Sequence, residues 1–151
     1  MTVLARRDDG IEIDDDPARV DPDRTFDLVV GQGYWANERS RETVTASIAT
    51  SWSFTAYDGD LQVAFARVVT DRVTFAWVCD VIVDEAYRGR GLGHWLMRTV
   101  TDAVAATGVQ RQILATVDAH GVYGDIGYAG LAHPERWMEI DTRPGGGPVV
   151  S

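Results

Sequence analysis

Residues 74 to 83, TFAWVCDVIV, constrain the fold more than any other stretch. Their β-branched and aromatic character reads as one long strand. Phe75, Trp77, Cys79, Val81 and Val83 then share one face and Ala76, Val78 and Ile82 the other, so both faces are apolar and need cover. Such a strand belongs in the middle of a sheet. Its neighbours stand just upstream: Ser51 to Tyr57 (SWSFTAY) and Leu61 to Val69 (LQVAFARVV) alternate with period two. Asp58-Gly59 joins them as a hairpin, because both residues accept positive φ. Thr70 to Arg72 is the expected turn into the third strand. That register sets Val69 against Thr74 and Val63 against Asp80, leaving Arg67 about 13 Å from Asp80 at a strand's rise.

Helical spacing brackets this sheet. Pro22 can open a first helix carrying Phe26, Val29 and Val30 before Gly31 and Gly33 stop it. Asn37 or Ser40 can cap a second with Val44 and Ile48, leaving GQGYWANERS as a loop between the two. Downstream, Leu92, Leu96, Val100, Ala103 and Val104 make an amphipathic helix closed by Gly108. Residues 111–117 read as a strand and 119–126 as a short helix; 128–131 and 137–141 read as closing strands, and Ile11 to Ile13 as an opening one. The fold class is therefore α/β, a mixed, mostly antiparallel sheet flanked by helices in the order β-α-α-β-β-β-α-β-α-β. At 151 residues the chain fits one domain, expected over residues 1–143, with a disordered glycine- and proline-rich tail over 144–151. Arg6, Arg7 and the aspartates after them read as a solvated N-terminal segment.

A formal charge of −9 argues against nucleic acid or a phospholipid membrane as partner, since both demand clustered cations. All 14 basic side chains are arginine, so the chain has no lysine amine of its own to acylate. One cysteine and three scattered histidines offer no metal-ligand spacing, and no metal is expected. No long apolar run or secretory pattern is visible, which makes the expected location cytoplasmic.

The long strand runs into YRGRGLGHWL, residues 87 to 96. A glycine loop between a strand's C-terminal end and a helix N-terminus exposes unpaired N–H groups beside the positive end of the helix dipole, a setting for phosphate. A glycine turn chosen only for tight packing would read the same way. His94 stands where a GxGxxG pattern needs glycine, and a Walker loop needs a lysine. What matches is Arg-x-x-Gly-x-Gly, at Arg88, Gly91 and Gly93.

This loop, in DVIVDEAYRGRGLGHWLM, resembles the pyrophosphate loop of the GNAT superfamily of acetyl-CoA-dependent N-acetyltransferases. VYGDIGY (122–128) resembles that superfamily's later tyrosine segment. FARVVTD, DAHGVYGDIGY and ERWMEI are similar to a bacterial subgroup of these proteins. One departure is Thr116-Val117-Asp118, where many members carry an asparagine. The resemblance implies an acyltransferase with acetyl-CoA as cosubstrate, held by Val81, Ile82, Val83, Arg88, Gly89, Arg90, Gly91, Leu92, Gly93 and Tyr123. It implies a primary amine of a small molecule as acceptor, bordered by Tyr34, Trp35, Arg39 and Arg41, and it admits a homodimer. A non-catalytic acyl-CoA-binding module or a protein lysine acetyltransferase would share the loop.

Tyr123 is the implied general acid toward the departing thiolate. A phenol near pKa 10 can protonate a thiolate near 8.5 with only mild assistance, so packing on the cofactor is the other reading. Asp80, a carboxylate inside an apolar strand, is either a catalytic base whose pKa burial raises or a structural charge that needs a partner. Arg39 and Arg41 are either carboxylate binders for the acceptor or solvated loop residues. His94 and His120 read as surface residues, and Trp52, Trp77, Trp95 and Trp137 as core.

Overall fold

In the computed structural model, which describes residues 3–33, 35–36 and 38–145, six strands lie side by side in chain order. They are β1 (Val3–Arg6), β2 (Glu12–Asp14), β3 (Trp52–Asp58), β4 (Leu61–Thr70), β5 (Ala76–Val83) and β6 (Gln112–Ile113). All neighbours are antiparallel except β5 and β6, which run parallel. Helices α1 (Pro22–Val29) and α2 (Arg41–Ala49) connect β2 to β3; α3 (Leu92–Ala106) connects β5 to β6, and α4 (His120–Ile126) follows. None is long and apolar enough to cross a membrane.

Local chemistry sets these boundaries. Asp21 starts α1 by accepting the N–H groups of Asp23 and Arg24 at 2.9 and 3.2 Å, with Pro22 in the first turn, where its missing N–H costs nothing. Ser40 caps α2 through the Thr43 N–H at 3.1 Å; Asn37, the other expected cap, lies outside the described residues. Helix α3 buries Leu92, Leu96, Met97, Val100 and Val104 against Phe54, Ala64 and Val68 of one sheet face. Each such side chain stabilises the fold by about 1.5–3 kcal/mol. The opposite face holds a second cluster in which Leu28, Val29, Val44 and Ile48 of α1 and α2 cover Phe65 and Ile82.

Several expectations are corrected. The stretch from Arg6 through the aspartates is not a solvated segment throughout: Arg6 ends a strand and pairs with Glu12 at 2.9 Å, and Asp14 is buried at the end of β2. Residues 128–131 and 137–141 form no strand, and the expected strand over 111–117 shrinks to Gln112–Ile113. Trp77 and Trp137 stand exposed rather than in the core.

The most consequential correction concerns β4 and β5. Asp71 organises a longer turn than expected: its Oδ1 accepts the N–H groups of Val73 and Thr74 at 2.9 and 2.7 Å, while Arg72 adopts φ 62°. Thr70 therefore faces Ala76, and Arg67 faces Cys79. One step further Phe65 faces Ile82, so Asp80 and Val81 together oppose Ala66 in a bulge, with Asp80 at φ 51°. The extra residue inverts the alternation. Val81 and Val83 join Ala76 and Val78 on the α3 face, and Ile82 turns to α1 and α2.

Candidate active site

Strand β5 continues to Val83, yet β6 pairs with it only at Ala76 and Trp77. Beyond that point β5 runs on without a partner on this side, and a cleft of about 580 Å³ opens beside it. Val81, Ile82 and Val83 form its floor, the glycine loop and the start of α3 its rim, and Ala119, Val122 and Tyr123 the facing wall.

The rim has the geometry of an anion cradle. Gly89 and Gly91 sit at φ 80° and 73°, a region that disfavours side chains, and a Cβ at either would meet nothing within 4 Å, so the space above them is open. The first intrahelical bond of α3 in the loop is Trp95 N–H to the Gly91 carbonyl at 3.1 Å, so the N–H groups of Leu92, Gly93 and His94 precede the ladder. Arg88 donates through Nε to the Val83 carbonyl at 3.1 Å, while the Arg90 guanidinium lies 4.9 Å from the Tyr87 ring centroid. Backbone donors, the positive end of a 15-residue helix and Arg88 fit a pyrophosphate, and the apolar floor fits a pantetheine arm.

Behind the floor lies a charge cluster. The Asp80 carboxylate, 3% exposed, accepts hydrogen bonds from Arg39 Nη1 at 2.6 Å and Arg67 Nε at 2.8 Å, and from Trp35 Nε1 at 3.1 Å. Arg67 also donates to Ser51 Oγ at 3.0 Å. Burial alone would raise the Asp80 carboxyl, but the arginine hydrogen bonds and charges outweigh it and hold the pKa below the ordinary value. The expectations of a distant Arg67 and a raised pKa are both overturned: the longer turn brings Arg67 beside the bulge, and Arg39 from the loop before α2 adds the stronger of the two hydrogen bonds that lower the pKa. Burial pushes the neighbouring Cys79 thiol up to about 11.

Trp35, held at its indole nitrogen by Asp80, presents its ring to the cleft. Gly33 makes room for it, since a Cβ there would lie 2.4 Å from the Val29 carbonyl and 3.0 Å from the indole. A second tie fixes the rim: Arg24 pairs with Asp84, whose Oδ1 accepts the Ala86 N–H at 3.0 Å, and Gln32 Oε1 accepts the Glu85 N–H at 2.9 Å. Helix α1 and the loop after it are thus bolted to the segment that enters the glycine loop.

Of the residues singled out from sequence, Trp35, Val81, Ile82, Val83, Arg88, Gly89, Gly91, Leu92, Gly93 and Tyr123 line one cleft. Arg90 stacks on Tyr87 outside the lining, and Asp80 and Arg39 lie behind Trp35. Arg41 points elsewhere, pairing with Asp23 at 3.0 Å and stacking over Phe26. Tyr34 lies outside the described residues. Tyr87, His94, Met97 and Asp118 line the cleft without having been singled out for it. His94, expected at the surface, is half-buried; its place in the first turn after the glycines was the available signal.

The acetyltransferase (GNAT) family model matches residues 16–128. The chain belongs to that family, a family of acyltransferases. A crystal structure from Xanthomonas campestris pv. campestris, described as an acetyltransferase of the GNAT family, superimposes with TM-score 0.83 at 31% identity, covering 91% of this chain and 95% of that one. A GNAT acetyltransferase from Elizabethkingia anophelis, with acetyl-CoA bound in its structure, shares the fold with TM-score 0.63 at 15% identity over 82% of this chain and 78% of that one. A Gibberella zeae protein named as an acetyltransferase is 31% identical over 64 residues, 42% of this chain, and the match spans only 36% of that protein's length.

Proposed function

We propose that the chain is a cytoplasmic enzyme, one catalytic domain over residues 1–143, that moves an acetyl group from acetyl-CoA to a primary amine of a small molecule. The observation that carries this reading is that Tyr123 lines the same cleft as a glycine cradle, which opens off the end of β5 where β6 no longer pairs with it. A cleft of about 580 Å³ is of small-ligand size. Acetyl-CoA, when bound, supplies a thioester as the activated acyl group.

The backbone of residues 88–93 binds the anionic end and the floor of Val81 to Val83 aligns the arm. Trp35 walls the acceptor side. In the transfer one C–N bond forms and one C–S bond breaks, the nitrogen gives up a proton, and the sulfur gains one from the Tyr123 hydroxyl. That hydroxyl is restored by a proton returned through solvent. Asp80 is assigned a positioning role in place of the base: a carboxylate clasped by two guanidinium groups is a weak proton acceptor near neutral pH, and its indole bond sets Trp35.

The test is acetyl-CoA-dependent thiol release across a panel of small amines and lysine peptides. Turnover with small amines supports the proposal. Turnover confined to peptides favours a protein acetyltransferase, and acetyl-CoA binding without turnover on any amine favours a non-catalytic module.

A further inference from the structure

The arginines around the cleft differ in what they hold. Arg24 pairs with Asp84, Arg39 and Arg67 both clasp Asp80, and Arg90 stacks on Tyr87. Among the described residues Arg88 has neither a carboxylate nor a ring; its guanidinium donates from Nε to the neutral Val83 carbonyl at 3.1 Å. In a chain of net charge −9 this cation stands without a counter-charge, beside a cradle built for anions.

The Val83 carbonyl faces the cleft. Successive residues of an antiparallel strand turn their backbone groups to opposite edges, and the Asp84 N–H donates to the Val63 carbonyl of β4 at 2.9 Å. Val83 therefore points the other way, along the edge that β6 leaves unpaired. It also stands where floor meets cradle, since a Cβ on Gly93 would lie 3.5 Å from its Cγ2. A pantetheine arm carries amide groups, and buried amides need backbone partners of this kind. The backbone leading to Arg88 is held, because the Tyr87 hydroxyl donates to Asp58 at 2.7 Å and Arg24 pairs with Asp84. Only the long side chain is left to swing.

On the acetyl-CoA reading of the cleft, we infer that Arg88 is a latch: its guanidinium covers the Val83 carbonyl until a diphosphate draws it away and frees that carbonyl for the donor's arm. Exchange of a neutral acceptor for a charged phosphate drives the swing, and by linkage the two halves of the donor strengthen each other. The latch thereby selects acetyl-CoA over thioesters that carry the same arm without the diphosphate, such as acetyl-pantetheine.

Calorimetric titration with ADP and with pantetheine separates the two halves. In the wild-type chain saturating ADP should tighten pantetheine by about threefold, a modest value for one exchanged hydrogen bond. Arg88→Met keeps the apolar stem and removes the donor. It should weaken ADP, tighten pantetheine by the same factor without help, and leave no further gain from ADP. A guanidinium that only contacts phosphate would weaken ADP and leave pantetheine unchanged, and one that only holds the loop would weaken both; either result overturns the latch. Should the variant fail to fold, nuclear Overhauser contacts in the wild-type chain decide. Contacts from Arg88 Hε to the backbone protons of Val83 and Asp84 should be present without ligand and lost with ADP, and contacts absent at the outset or persisting with ADP overturn the latch. Failure of CoA itself to bind brings down the acetyl-CoA reading and the latch with it, whereas CoA binding beside any contrary result brings down the latch alone.

Discussion

The molecule divides at Val109 into two regions of opposite character. Upstream, β1 to β5 carry a core on each face, with Phe54, Val63, Leu96 and Val100 fully buried under α3 and Leu28, Val29 and Phe65 under α1 and α2. Downstream, a two-residue strand, a seven-residue helix and long irregular connections bury no side chain fully among the described residues, and only Leu114, Tyr123 and Ile126 pack partly buried against the core. The glycine cradle belongs to the first region and Tyr123 to the second. A deeply packed anion site thus shares a cleft with a thinly packed wall, and ligand-binding parts are drawn from the less stable end of a structure.

Cutting each region at a comparable side chain breaks or upholds this division most strongly. Leu96→Ala leaves a cavity between α3 and the sheet and should cost about 2–5 kcal/mol in urea unfolding, whereas Val117→Ala, already 77% exposed, should stay within about 0.5 kcal/mol. Equal losses would erase the contrast.

Asp80 is next in size. Asp80→Ala strands Arg67 and Arg39 and should destabilise the chain by about 3 kcal/mol. Because the folded pKa lies below the unfolded value of about 3.9, the stabilisation is fully present above that value and is lost as pH falls through the folded pKa. Asp80→Asn should therefore flatten the acid limb of the stability profile while leaving the pH dependence of turnover between neutral and mildly alkaline pH unchanged. A turnover limb that vanishes in Asp80→Asn would restore the base.

Tyr123→Phe removes one hydroxyl from the weak region. It should lower kcat by about 100-fold where chemistry limits the rate, with acetyl-CoA affinity within about twofold and melting temperature unmoved. An unchanged kcat would return Tyr123 to packing. Gly91→Glu, in the strong region, should weaken acetyl-CoA binding by about tenfold or more, since it sets an anion on the cradle and forces a side chain into φ 73°.

What the sequence reveals follows the same division. Helices α1 and α3 and the hairpin at Gly59 are legible because local signals agree there: a capping aspartate before proline, apolar residues at helical spacing, and a turn glycine with φ 60°. The cradle is legible because it is contiguous. The turn before β5 is not, because its length is set by the Asp71 side chain, and nor is the bulge further along, where one extra residue reverses every later face. The Asp80 cluster is hidden for the same reason, since its donors come from positions 35, 39 and 67 and meet only once the register is set. The closing strands over 128–131 and 137–141 have suitable composition, but a strand needs an edge to pair with, and composition does not say whether one is reached.

Hydrogen exchange with and without acetyl-CoA tests most directly whether one ligand joins the two regions. Amides of residues 89–94 and of residues 119–126 should both slow on addition of acetyl-CoA, while those in the centre of β3 and β4, already held by two cores, should not change. Protection confined to the glycine loop, or absent from both segments, would contradict a cleft in which the cradle and Tyr123 act on the same molecule.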